Sequence, residues 1–437
     1  MIPVCPAKSQ QAYELTFHRT HPTICYEKTP QKNENMESPL KNIRVIDLSH
    51  FLSGPRCTQI LADLGAEVIK IEPPMGEEMR LITFLMPGME RLMSVFHRNK
   101  KGITLNLKTE KGREILKQLV KKSDVLVENF SKGIMDEMGL DYESLKAINP
   151  RLIYASISGF GRTGPLSSRP SFDIISQATS GIMFALDQPD RPPGVFFGDM
   201  VSGAYCAVAV LYALIARGMN GKGQSIDISM QDVMYYHNYR SLVKKSVEPV
   251  WDQVTLTLGK DPEQLFTDKK RRMFFWNSYK AKDGYIAIVV ITDPQWKRLA
   301  NVIGSPELKD EEKYGNFVLR IKNSPKALKI VKEWTARHTM NEIEDLLDKA
   351  DVPCGRVQDV DGANRDLQLE ARRMYEEVMH PGFGGIAVPG IPFKFSETKT
   401  SVSSPAPDLG QHTVEVLTSL LGMTEEEVKK LKDEDVL

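Results

Sequence analysis

Ile43-Arg44-Val45-Ile46-Asp47-Leu48 is a short apolar run that reads as a strand ending near Ser49. Residues 56–64 follow with helical character, closed by Gly65 as a C-cap, and Glu67-Val68-Ile69-Lys70-Ile71 reads as a second strand. The alternation continues outward from this unit. A third strand is expected at 103–107, then an amphipathic helix at 110–122, a strand at Val125-Leu126-Val127, a helix ending over 145–148 and a strand at 152–157. Strands alternating with helices indicate an α/β fold with a parallel sheet covered on both faces. Ligands of such sheets bind beyond the carboxyl ends of the strands, which singles out the loops at 49–55, 72–76, 128–133 and 158–165. Gly54-Pro55 stands where a GxGxxG dinucleotide fingerprint would be, which argues against a dehydrogenase.

A chain of 437 residues is long enough for two or three domains. Lysine plus arginine and aspartate plus glutamate both number 57, so the zero net charge carries no footprint for nucleic acid or an acidic membrane surface. The five cysteines contain no CxxC pair, and free thiols fit a reducing cytoplasm. The longest uncharged run, Met200 to Ala216, is short of the roughly 20 residues of a membrane span and reads as a buried helix. Residues 1–39 are polar, lack an apolar signal core and read as a disordered or misassigned extension.

Past Met230 the pattern changes. Residues 236–275 read as a polar linker carrying the basic cluster Lys269-Lys270-Arg271-Arg272. Residues 276–350 read as a small α+β domain, opening on a hairpin-like turn at Lys282-Asp283-Gly284 that leads into a strand at 285–291. Glycine- and proline-rich loops return from Asp351, before a final helix opened by the capping box of Thr424 and Glu427.

Asp199 follows Gly198 at the start of the apolar helix. Unpaired amides and the macrodipole favour a carboxylate there, by about 0.3–1 kcal/mol when exposed and up to 2 when partly buried. The residue also reads as an ordinary N-cap. A carboxylate at an apolar mouth can instead be desolvated and made nucleophilic. In Ser158-Gly159-Phe160-Gly161-Arg162-Thr163-Gly164-Pro165, Gly159 and Gly161 would let the backbone approach a ligand and offer amides to an oxyanion; a surface loop is an equal reading. His97-Arg98-Asn99-Lys100-Lys101 could hold phosphates or be a solvated strand edge. The eight histidines form no HExxH or HxH set, so no metal is expected.

From Leu40 to Leu437 these segments resemble the class III CoA-transferase family, the CaiB/BaiF type that includes formyl-CoA transferase. The resemblance is carried in order by Val45-Ile46-Asp47-Leu48-Ser49, Gly54-Pro55, residues 61–72, Arg98-Asn99-Lys100-Lys101, residues 124–130, Gly198-Asp199, Gly221-Lys222-Gly223-Gln224, Val352-Pro353-Cys354-Gly355 and Leu409-Gly410-Gln411-His412-Thr413. It implies a Rossmann-like large domain built from 40–235 and 351–437, a smaller domain between them, and a homodimer of interlocked rings. Asp199 matches the catalytic aspartate, which would form an anhydride with the donor acyl group and then a thioester with CoA. Lys100 and Lys101 match positions near the CoA phosphates, Asn129 and Phe130 the adenine-side loop, and Met230 the CoA channel. The partners implied are an acyl-CoA and a carboxylic acid, with coenzyme A as substrate and no further cofactor.

Leu52 replaces a glutamine that orients the acyl group in some members, and with Gly159, Gly161 and Phe172 it marks the expected acyl pocket. Pro73 and Glu137 replace basic residues, and Phe274-Phe275-Trp276 stands near where formyl-CoA transferase has a shielding glycine loop. Arg162 and Arg240 are the candidates for clamping a second carboxylate. The rival readings are an α-methylacyl-CoA racemase and a non-catalytic CoA-binding subunit. Racemases of this fold use a histidine where Phe172 stands, and Phe172 cannot exchange a proton.

Overall fold

The computed structural model describes residues 38–84, 89–250, 252–253 and 276–437. The expected extension falls outside them except for residues 38 and 39. The Lys269-Lys270-Arg271-Arg272 cluster and Phe274-Phe275 also lie outside the described residues. The described start of the expected linker is helical at Tyr239–Val247.

Six parallel strands form the main sheet: β1 (Arg44–Asp47), β2 (Glu67–Glu72), β3 (Lys100–Thr104), β4 (Val125–Glu128), β5 (Ile153–Ser158) and β6 (Ser225–Ser229), in the order β3-β2-β1-β4-β5-β6. All five adjacent pairs are parallel. The order reverses between β1 and β4, so a crevice opens beyond their carboxyl ends. Alternate residues of each strand feed opposite layers. Ile46, Ile69, Ile103 and Leu126 pack with Leu116, Leu119 and the C-terminal Val416, Leu417, Val436 and Leu437. Val45, Val68, Val125 and Val127 pack with Leu61, Cys206, Ala207 and Val210 on the other face. Burial on both sides is why these strands read as unbroken apolar runs.

Three boundaries differ from the sequence expectation. The helix expected at 56–64 is Ser53–Asp63, with Pro55 in its first turn, where a missing amide hydrogen costs nothing. The strand expected at 103–107 starts at Lys100, because the Lys100 side chain is buried against Asp47 and its polarity is no sign of a loop. The loops expected after Asp351 contain a hairpin, β10 (Tyr375–His380) with β11 (Gly384–Pro389).

The expected hairpin around Asp283-Gly284 is present as β7 (Trp276–Lys280) and β8 (Tyr285–Val289). Its sheet takes a third strand from β9 (Cys354–Arg356), past residue 350. Tyr279, Ile286 and Ile288 pack there with Trp296, Leu299, Val331 and Leu347 in a separate core.

The apolar helix is longer than the uncharged run and spans Phe197–Asn220, so by length and composition it could cross a membrane. One face lies on the sheet through Cys206, Ala207, Val210 and Ala213, while Val208, Tyr212, Ile215 and Met219 are exposed. It runs closely against Ser53–Asp63 at Gly203. A Cβ there would sit 2.4 Å from the Ser53 carbonyl oxygen and 2.8 Å from Arg56 Cβ. Glycine in a helix interior ordinarily costs up to about 1 kcal/mol relative to alanine. Here the sign reverses: Gly203→Ala should destabilise the protein by about 1–3 kcal/mol through overpacking, read as a lower thermal midpoint.

Candidate active site

Asp199 lies in the first turn of Phe197–Asn220, beside the starts of two other helices. Ser53 begins the helix after β1, and Asp173 begins Asp173–Thr179. The Asp199 backbone N–H donates to Asp173 Oδ1 at 3.1 Å. Gln177 Nε2 donates to Asp173 Oδ2 at 2.6 Å and to the Val195 carbonyl at 3.0 Å, which ties the two helix starts together.

Burial and the neighbouring Asp173 carboxylate push the Asp199 carboxyl from 3.8 up to about 7, against the opposing hydrogen bond from Ser53. Asp199 therefore changes charge near neutral pH. An incompletely solvated carboxylate of raised basicity is suited to attack a carbonyl carbon.

The crevice wall is set by Asn129. Its Oδ1 accepts from the His50 N–H at 2.8 Å, its Nδ2 donates to the His50 carbonyl at 2.8 Å, and Nδ2 also reaches Ser53 Oγ at 3.2 Å. Phe130 meets the His50 ring edge-on at 5.1 Å. Asn129 and Phe130 thus share a wall with Ser53, at the switch between β1 and β4.

The other sequence-predicted residues divide. Leu52 is buried as the N-cap position before Ser53–Asp63. Gly159 has a packing role: a Cβ there would lie 2.1 Å from Ser171 Cβ, so the glycine seats the segment leading to Asp173. Gly161 has φ +80°, with Asp227 and Ser229 as its nearest neighbours. Phe172 is 63% exposed and meets Phe51 edge-on at 5.6 Å. Met230 is buried in the core beneath the sheet.

Lys100 is not presented to a ligand. Its ammonium is buried, 2.9 Å from Asp47 Oδ2 and 2.8 Å from Thr58 Oγ1. Lys101 is half-exposed and already placed between Glu67 at 3.0 Å and Glu415 at 2.9 Å. Arg162 is committed to Glu128 and, at 2.7 Å, to Ser156 Oγ, while Arg240 is exposed.

Ser53 and Asp173 were not assigned roles by sequence reasoning. Ser53 stands in the loop after β1 that such reasoning marks, but Asp173 lies 26 positions from Asp199 in the sequence and leaves no local signal. His50, Glu77 and Glu78 bring ligand-type atoms within 4.8 Å of one another. These side chains already have protein partners, since Glu77 lies 3.5 Å from Lys70 and 3.1 Å from His97, and His50 lies 2.9 Å from Glu78.

A family model described as CoA-transferase family III matches residues 40–413. The formyl-CoA:oxalate CoA-transferase of Streptomyces avermitilis is 34% identical over 92% of this chain and 100% of its own. The human succinyl-CoA:glutarate CoA-transferase is 33% identical over 90% of this chain and 88% of its own. The crystal structure of a CaiB/BaiF family protein from Brucella suis superposes with a TM-score of 0.70 at 33% identity, covering 88% of this chain and 99% of that one.

Because the folded Asp199 carboxyl holds its proton above the ordinary value, its ionisation costs stability as pH rises from 3.8 through about 7. Asp199→Asn should therefore raise the thermal midpoint more at pH 8 than at pH 4.5, measured by thermal denaturation at both. Asp173→Asn removes the adjacent negative charge and should move Asp199 ionisation to lower pH, followed through the pH dependence of carbodiimide labelling of Asp199.

Proposed function

The chain belongs to CoA-transferase family III and is a CoA-transferase, and from that we propose that it moves coenzyme A from an acyl-CoA to a free carboxylic acid through covalent intermediates on Asp199. The observation that carries this reading is the partly buried Asp199 carboxyl, raised to about 7 and held between Ser53 and Asp173 at the crevice.

An Asp199 carboxylate oxygen attacks the thioester carbon, the C–S bond breaks and CoA leaves as thiolate, giving a mixed anhydride. The thiolate then attacks the aspartyl carbonyl, the donor acid leaves as its carboxylate, and an aspartyl-CoA thioester remains. The acceptor carboxylate attacks that thioester to form a second anhydride and release thiolate. Attack of the thiolate on the acceptor's acyl carbon yields the new acyl-CoA and regenerates Asp199. No proton is gained or lost overall, and the thioester energy is conserved without ATP.

Asn129 and Phe130 form the side of the crevice that meets coenzyme A, and the half-exposed Lys101 would exchange Glu67 and Glu415 for its phosphates. Lys100 acts from beneath by holding Asp47. Coenzyme A is a substrate here, and no further cofactor enters the reaction. The relatives named for oxalate and glutarate support a carboxylic acid acceptor. The exposed apolar face of Phe197–Asn220, with Tyr212 74% and Met219 86% exposed, supports a homodimer that covers it. The free, buried Cys57 and Cys206 suit a reducing cytoplasm.

Incubation with acyl-CoA followed by hydroxylamine should convert Asp199 to its hydroxamate, identified by peptide mass spectrometry. Asp199→Ala should lower transfer by roughly ten-thousandfold or more while CoA still binds. Failure to trap Asp199 with any donor refutes the covalent route. Incubating a single-enantiomer 2-methylacyl-CoA in deuterated water should leave the α-hydrogen in place; exchange would instead favour a racemase.

A further inference from the structure

Phe51 has φ +59°, a left-handed conformation unusual for a bulky residue. Two neighbours hold it there. Glu77 Oε2 accepts its backbone N–H at 2.9 Å, and Asn129 grips both the N–H and the carbonyl of His50. Glu77 is itself anchored in the interior by Lys70 and His97. Strain maintained by surrounding structure at a crevice points to a functional use of the residue.

The conformation brings the Phe51 ring perpendicular to Phe172, at 5.6 Å and 90°. Phe51 stands two residues before Ser53, and Phe172 stands one before Asp173, so both rings hang from the segments that hold Asp199. Phe172 remains largely exposed. Four cations of the surrounding segments are engaged elsewhere. Arg162 holds Glu128, Arg169 lies over the Phe160 ring at 6.0 Å, Lys70 reaches Ser49 and Glu77, and Lys100 holds Asp47.

We propose that Phe51, set against Phe172, determines which acyl group reaches Asp199, and that it selects apolar monocarboxylic acyl groups over dicarboxylic ones. The inference rests on Asp199 being the acyl-accepting residue. An alkyl or aryl body gains contact with the two rings. The second carboxylate of a dicarboxylic acyl group would lose water against them and find none of those four cations free to replace it.

The test compares kcat/KM for butyryl-CoA, benzoyl-CoA and succinyl-CoA with one acceptor, acetate, in the wild type, Phe51→Gly and Phe172→Ala. Glycine suits the positive φ, so Phe51→Gly should fold with an unchanged or higher thermal midpoint. The wild type should prefer butyryl- or benzoyl-CoA over succinyl-CoA by tenfold or more, and both variants should lower that ratio by about tenfold or more. A wild type that prefers succinyl-CoA, or a ratio that Phe51→Gly leaves unchanged, overturns the proposal. Hydroxylamine trapping in the same reactions separates the two levels. Trapping at Asp199 without the preference removes only the role of Phe51, whereas no trapping with any donor removes both.

Discussion

Asp47 is the residue on which the crevice is built. It ends β1 with its carboxylate fully buried. Oδ1 accepts from the Ser49 N–H at 3.0 Å, while Oδ2 accepts from Thr58 Oγ1 at 2.6 Å and Lys100 Nζ at 2.9 Å. Burial works against the charge, yet Lys100 and Lys70 hold the carboxyl well below the usual range. One side chain therefore joins the turn after β1, the helix that carries Ser53, and β3. Removing one partner of such a buried pair typically costs about 3–5 kcal/mol, because the other charge is left unmatched.

The chemistry is assembled one layer above that anchor. Asp47 sets the turn, Asn129 sets the backbone of His50, and these place Ser53 beside Asp199. Asp173 approaches from the other side and raises the same carboxyl that Ser53 lowers. The two contacts have opposite electrostatic sense. Burial, reinforced by Asp173 and opposed by Ser53, leaves Asp199 more basic than an ordinary aspartate, yet ionisable near neutral pH. Close helix packing at Gly203 keeps the arrangement compact.

Much of this was legible in the sequence, for a physical reason. Strands buried on both faces must be continuously apolar, so β1, β2, β4 and β5 stood out. A carboxylate opening a long apolar helix is visible too, but it reads equally as an ordinary N-cap, so the role expected of Asp199 came from the family resemblance. Partnerships between distant residues left no such trace. Lys100 reads as a solvated or phosphate-binding cation because its partner Asp47 lies 53 positions away. That concealed pairing also explains the misplaced start of β3. Likewise, the left-handed Phe51 cannot be inferred from residue type, since bulky side chains disfavour it. The hairpin of β10 and β11 was hidden among glycines that mark turns as readily as loops.

One face of the main sheet is completed only by residues that follow the smaller core in the chain. Val416, Leu417, Val428, Val436 and Leu437 cover Ile46, Ile69 and Ile103, which precede them by more than 300 positions. During synthesis the first strands therefore leave the ribosome with part of the apolar covering of one face still untranslated. The intervening α+β unit can collapse on its own meanwhile, having a core of its own. The nascent chain thus carries a partly uncovered β-surface until those residues emerge, and that interval is when chaperone protection matters most.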